Sequence, residues 1–195
     1  MGAGSPMGTR TRLNAGRDFR AAMELEELDR NVAKTRETAM RISSVIKEVS
    51  HKFTVNGRVQ IPADIVGKLE ALIDAPQSVV VIARVNGNDI ACAHVALEDG
   101  AGYFGMFSVE PETQGGGIGK AVLAEAERIA HSRWQAEVMR MTVIDVRDTL
   151  IAFYERRGYV RTGRYAPFPY GDERCGIPKR DDLRFEVLEK DLRHG

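Results

Sequence analysis

Cysteine is scarce in this chain of 195 residues: only Cys92 and Cys175 occur, far apart in sequence. That excludes a disulfide framework, and neither thiol has a partner at metal-ligand spacing. The expectation is a cytoplasmic protein with reduced thiols and no bound metal. Net charge is missing as well. Lys plus Arg equals Asp plus Glu at 28 each, so no global basic field draws the chain to nucleic acid. Long apolar runs are absent too. None approaches the roughly 20 residues that span a bilayer, and the first residues lack the charged-then-apolar layout of a secretory signal. What remains is a chain of ordinary globular composition, long enough for one well-buried domain.

The order along the chain refines this. Residues 1–16 are Gly-rich and polar and read as a mobile segment, with a short first strand at Thr9–Leu13. From Arg17 to Asn56 there is neither Gly nor Pro. Leu25, Leu28, Val32, Ala39, Ile42, Ile46, Val49 and Phe53 step along a helix face, which predicts one long helix or two shorter ones. That stripe packs a core or presents a partner-binding or dimerisation face. Asn56-Gly57 marks a turn, and Pro62 suits the first turn of a helix running to about Ile73. Val79–Val85, Ile90–Leu97 and Tyr103–Val109 read as three strands joined by the turns Asn86–Asp89 and Glu98–Gly100. A helix follows from about Ile118 to Arg133, then a strand with alternating Met139, Met141 and Val143. A helix over Asp148–Arg157 and strands at Tyr159–Tyr165 and Leu183–Glu189 complete the series. The last two strands are joined by a long irregular loop through Pro167, Pro169, Gly171 and Pro178, and loops of that length are often functional. The pattern is a mixed sheet with helices on both faces, an α/β domain.

The stretch with the most chemical content is Gln114-Gly115-Gly116-Gly117-Ile118-Gly119-Lys120, between the strand that ends at Val109 and the following helix. Glycine lets such a loop point several backbone N–H groups at one anion. The first N–H groups of a helix lack internal partners and sit at the positive end of its dipole. Together they suit a phosphate. Two familiar phosphate loops fail on spacing. In a Walker A loop ending at Gly119-Lys120, Gln114 would replace the first Gly and Ala121 the magnesium-binding hydroxyl. A dinucleotide fingerprint begun at Gly115 or Gly117 ends on Lys120 or Val122 instead of Gly. A surface turn would also use these glycines.

The loop and a second segment together carry a resemblance. Gln-x-x-Gly-x-Gly after a strand ending Val-x-Pro is Gln114, Gly117 and Gly119 here. Downstream, Tyr-x-x-x-Gly-aromatic is Tyr154, Gly158 and Tyr159. Order and spacing resemble those of the GNAT N-acetyltransferase superfamily, over roughly residues 78–192. The resemblance implies the GNAT fold: a mixed, mostly antiparallel sheet whose central strands splay apart, with helices on both faces. It casts residues 17–195 as one domain, in which 17–75 form a helical acceptor-side region and 78–192 the acetyl-CoA-binding core. It implies that Phe107, Ser108 and Val109 bind pantetheine through their backbone. It also implies that Gln114, Gly115, Gly116, Gly117, Ile118, Gly119 and Lys120 hold the pyrophosphate. The family often carries Asn shortly before the Tyr-bearing helix. Arg147 stands there instead, to bind the cofactor differently, cap the helix or face solvent. Basic residues frequent in the loop are replaced by Gly115-Gly116, for which Lys120 is a candidate compensation.

Acetyl transfer to an amine needs a neutral amine, a stabilised oxyanion and a protonated leaving thiol. By resemblance the Val109 N–H serves the oxyanion. Tyr154 is the candidate acid, protonated at neutral pH because its ordinary pKa is about 10; packing beside Phe153 is its plainer role. Glu110, Asp145 and His94 are alternative bases, Glu110 foremost, and a buried structural histidine is the simpler account of His94. The implied function is transfer of acetyl from acetyl-CoA to a primary amine on a small molecule or peptide, by direct attack in a ternary complex. The alternatives are a non-catalytic acyl-CoA-binding regulatory module and an interaction protein whose amino-terminal helices bind a partner. The acceptor, the base and homodimerisation stay open.

Overall fold

The computed structural model describes residues 23–29, 37, 39–44, 46, 65–170 and 181–193. The readings of a mobile segment over 1–16, a strand at Thr9–Leu13, the Asn56-Gly57 turn and Pro62 lie outside the described residues. So do Val32, Val49 and Phe53 of the apolar stripe.

Among the described residues the order is β1 (Met23–Leu28), helical residues within 37–46 (α1), α2 (Ile65–Asp74), β2 (Ser78–Val85), β3 (Asn88–Glu98) and β4 (Ala101–Val109). A 3-10 turn at Pro111–Thr113 leads to α3 (Ile118–Trp134), β5 (Val138–Ile144), α4 (Asp148–Glu155), β6 (Val160–Pro167) and β7 (Arg184–Asp191). The seven strands form one sheet in the order β1-β2-β3-β4-β5-β7-β6, with β4–β5 its parallel pair. Both early hairpins turn as their sequences demand. Asn86-Gly87 and Asp99-Gly100 each place two successive residues at positive φ, the two-residue turn whose twist matches that of the strands.

One expectation fails at the start. The helical reading of residues 17–56 is wrong at Met23–Leu28, which is a strand paired antiparallel with β2 along its whole length. Leu25 and Leu28 are three apart and read as one helix face. In the strand they point to opposite faces: Leu25 packs toward the α3 side and Leu28 toward the α1/α2 side. The local sequence, rich in Glu and Leu, prefers helix. The free edge of β2 and two bridging arginines override it. Glu27 pairs with both Arg128 and Arg133 of α3, and Asp29 with Arg133 at 2.9 Å.

β2 and β3 are buried on both faces, which is why they read as nearly unbroken apolar runs. Val79, Val81, Ala83, Ala91, Ala93 and Val95 face α3, while Val80, Ile82 and Cys92 face α1 and α2. Full burial of each such Val or Ile is worth about 1.5–3 kcal/mol over leaving it exposed. His94 lies in the second layer. Its ring meets Ser78 Oγ at 2.8 Å, and that hydroxyl donates to the Leu72 carbonyl at 2.6 Å. The hydroxyl's one proton is thus committed, so the ring presents Nε2–H to the Ser78 oxygen. Burial pulls its pKa down.

The feature that positions the site lies at β4. It pairs with β5 only at Gly102↔Met139, Tyr103↔Arg140 and Phe104↔Met141. The β3–β4 register then slips between Cys92 and His94, and Met106 sits at φ 50°, a β-bulge that bends the strand. Beyond Phe104, β4 keeps β3 as its neighbour while β5 keeps β7, and a gap opens between β4 and β5. This is the splayed mixed sheet that the resemblance implies.

Candidate active site

The gap is a cleft of about 180 Å³. Phe104, Gly105, Met106 and Phe107 line it from β4, and Met141 to Ile144 from β5. Arg147, Leu150 and Tyr154 close it from α4, and Phe185 from β7.

Its walls carry unpaired backbone. The Glu110 amide donates to the Ile90 carbonyl at 2.8 Å, toward β3. Backbone groups alternate direction along a strand, so those of Val109 and Phe107 face the gap and those of Ser108 face β3. The Val109 carbonyl accepts from Gln114 Nε2 at 3.3 Å, which ties the loop to the strand end, and the Val109 amide lies on the side of β4 away from β3. Of the three residues expected to offer backbone groups, Phe107 and Val109 have the orientation for it. Ser108 pairs with Cys92 in the ladder.

The loop is built as a turn followed by a helix start. Gly115 and Gly117 adopt φ 92° and 83°, which side-chain-bearing residues rarely do, and Gly117 is the N-cap of α3. The first helical bond is Ala121 N–H to the Gly117 carbonyl at 3.0 Å. The amides of Ile118, Gly119 and Lys120 precede it and have no helical acceptor. The Ile118 side chain is buried in the core, so only its backbone faces the loop. Gly119 packs tightly: a Cβ there would stand 3.2 Å from Phe107 Cζ and 3.5 Å from Phe153 Cζ. Lys120 is exposed, as is Gly115.

Tyr154 is buried in the cleft wall, its ring edge-on to Phe153 at 5.2 Å and to Tyr159 at 5.9 Å. Burial pushes its hydroxyl up to about 12, with Arg147 and Arg157 pulling the other way. Its neighbour in the motif has a different task. Tyr159 donates to Glu127 of α3 at 3.0 Å, and Glu127 also pairs with Lys190 at 2.7 Å. Gly158 between them takes φ 90°, and the amides of Arg157 and Tyr159 return to the Tyr154 carbonyl, so glycine stops the helix and turns the chain into β6. Arg147 caps α4 through its backbone, its carbonyl accepting from Leu150 and Ile151, while its side chain reaches the cleft.

The candidate bases are not brought into the cleft. Glu110 is half-buried at the strand end, its carbonyl capping the 3-10 turn through Thr113, and it is not part of the cleft lining. Asp145 pairs with Arg184 at 2.8 Å, and its other oxygen is buried without a partner among the described residues. His94 belongs to the buried Ser78 pair. Sequence reasoning missed Gly105, Met106, Thr142, Ile144 and Phe185 as cleft residues. No residue type signals a strand whose neighbour departs, and only the bulge and the pairing reveal it. Phe185 is backed by Phe168 and Tyr170 at the ends of the long loop, with Phe168 stacked on Phe185 at 5.5 Å and beside Tyr170 at 5.0 Å.

Known proteins share this arrangement. The sequence profile of the acetyltransferase (GNAT) domain matches residues 76–161. A GNAT-family structure from Desulfovibrio desulfuricans superposes with a TM-score of 0.65 at 15% identity, covering 88% of this chain and 99% of that one. The Escherichia coli ribosomal-protein-S18-alanine N-acetyltransferase gives 0.64 at 14%, covering 87% and 94%. A Bacillus anthracis structure in complex with acetyl coenzyme A gives 0.51 at 17%, covering 62% and 65%. At such identities the likeness is one of fold. No curated protein matches the sequence. The donor group fits this chain on its own evidence: the unpaired β4 edge offers partners to an extended amide-bearing arm, and the α3 amides offer donors to a phosphate. Domain match and cleft agree, and the chain carries an acetyltransferase (GNAT) domain over residues 76–161.

Proposed function

We propose that the protein is an N-acetyltransferase acting on a primary amine by direct attack in a ternary complex. The observation that carries this is the gap beyond Phe104, which Tyr154 lines and toward whose side the Val109 amide turns. When bound, acetyl-CoA supplies an activated acetyl thioester. The β4 edge at Phe107 pairs with an amide of its pantetheine arm, in the manner of an added strand. The amides at Gly117–Lys120 take the pyrophosphate. A C–N bond forms as the C–S bond breaks; the amine loses one proton and the sulfur gains one. The Val109 amide donates to the developing oxyanion. Tyr154 donates its proton toward the departing sulfur. Raised to about 12, it stays protonated at neutral pH, and the nearby Arg147 and Arg157 charges ease release of the proton.

The cleft lining contains no carboxylate. Direct deprotonation by a cleft carboxylate is therefore not part of this reading, and a water relay to Glu110, one residue past Val109, takes its place. Phe185, with Phe168 and Tyr170 behind it, forms the acceptor side. The test is a panel of small and peptide amines incubated with acetyl-CoA while free thiol is measured. Amine-dependent thiol release with an acetylated product is the expected result. Binding of acetyl-CoA with no release across the panel would favour the regulatory module.

A further inference from the structure

Arg157 lies at the end of α4, where its surroundings do not account for its charge. Its guanidinium is stacked 3.4 Å from the centre of the Phe153 ring, and one terminal nitrogen donates to the Phe153 carbonyl at 2.5 Å. Its Nε is buried without a hydrogen-bond partner among the described residues. No carboxylate among them pairs with it, and the adjacent Arg156 adds a like charge. Burial pulls its pKa below the ordinary arginine value. A cation left this way gains from an anion that supplies an acceptor to the Nε edge.

The same Phe153 ring connects Arg157 to the loop. Its edge comes within 3.5 Å of the point where a Cβ on Gly119 would stand. One aromatic ring thus touches the first turn of α3 and carries the guanidinium on its face. The loop itself is poor in cations, with Gly115-Gly116 and an exposed Lys120.

We propose that Arg157 is a phosphate-binding residue of the donor site, engaging a phosphate of the coenzyme's nucleotide half beside the amides that open α3. The proposal rests on the acetyl-CoA reading of that site. One terminal nitrogen is held by the Phe153 carbonyl, and the ring fixes the guanidinium plane. The Nε edge is then the one left without an acceptor among the described residues, and a guanidinium edge of this kind matches two phosphate oxygens.

Isothermal titration of wild type, Arg157→Leu, Arg157→Gln and Arg157→Lys with CoA and with 3′-dephospho-CoA tests this, with circular dichroism and melting curves as the folding control. Arg157→Leu and Arg157→Gln are expected to weaken CoA binding about tenfold or more, and Arg157→Lys to recover part of the loss as a point charge without the fork. The dependence of affinity on salt should become shallower in the uncharged variants. Equal losses for the two ligands place the pyrophosphate at Arg157, and a loss confined to CoA places the 3′-phosphate there. If Arg157→Leu does not fold, Arg157→Gln decides. CoA affinity within twofold of wild type in the folded variants overturns the proposal, and does so equally if turnover falls, because Arg157 would then act through Tyr154. A wild-type protein that binds neither ligand overturns the donor-site reading itself, and this role with it.

Discussion

The two halves of β4 contrast sharply. Gly102, Tyr103 and Phe104 are paired on both sides, by β3 and β5. The packing there is so close that a Cβ on Gly102 would meet Ala130 Cβ at 2.6 Å and Met139 Sδ at 2.8 Å. Residues 105–109 of the same strand keep only β3 and bend at Met106, and residues 105–107 line the cleft. The residue types hardly differ between the halves. What differs is whether a neighbouring strand meets the backbone. A fold can thus turn a core strand into a binding edge within two residues, provided a ligand satisfies the exposed amides.

The largest expected effect lies on the open half. Tyr154→Phe removes one oxygen and keeps the ring. Steady-state turnover should fall by about 10²–10⁴, the usual contribution of a positioned acid, with acetyl-CoA affinity near wild type. A variant that keeps a third of the wild-type rate, with chemistry limiting, takes Tyr154 out of the mechanism. Next comes the loop beside it. Gly117→Val forces a β-branched residue into the left-handed conformation of the N-cap, at about 1–2 kcal/mol or more, and covers the amides. The acetyl-CoA-induced rise in melting temperature, expected from mass action in the wild type, should disappear. An undiminished shift would show that the loop does not hold the donor.

A pair of small substitutions compares the halves directly. Gly102→Ala should cost about 2 kcal/mol through overpacking, lowering the melting temperature by about 4–8 °C. Gly105→Ala first meets the outer edge of the Tyr103 ring, which can swing. It should change the melting temperature by less than about 2 °C while reducing activity, because Gly105 lines the cleft. Equal stability losses would erase the distinction between the halves. The smallest effect concerns His94. Its folded pKa lies below the ordinary 6.5, so the unfolded chain takes the proton first. Its contribution is whole above about pH 6.5 and drains as pH falls through that value. Melting curves between pH 7 and 5 should slope less in His94→Gln than in wild type. An unchanged slope would mean that His94 is not held neutral.

Much of the core domain was legible because its signals are local. The Asn86-Gly87 and Asp99-Gly100 turns demand positive φ, and the strands on either side alternate or run apolar as burial on one or two faces requires. The helix expected over Asp148–Arg157 ends just before Gly158, which takes φ 90°. Residues 23–28 were misread because Glu and Leu favour helix locally and only the open edge of β2 makes them a strand. Of the candidate site, Gln114–Lys120 and Tyr154 were visible as motifs. Phe185 and Met106 were not, since they reach the cleft through a bulge and a neighbour two strands away. Glu110 looked well placed because it follows Val109 in sequence, yet it ends outside the cleft lining.

By itself the sequence determined the order of elements from Ile65 onward, the phosphate-ready helix start at Gly117 and the candidate acid Tyr154. Each of these depends on backbone preferences or spacings a few residues long. Only the tertiary structure decided that β1 is a strand, that β5 leaves β4 after Phe104, and that Tyr154 borders the gap while Tyr159 is held by Glu127. Those outcomes depend on which distant backbone edges and side chains find partners, and that competition is settled only when the whole sheet assembles.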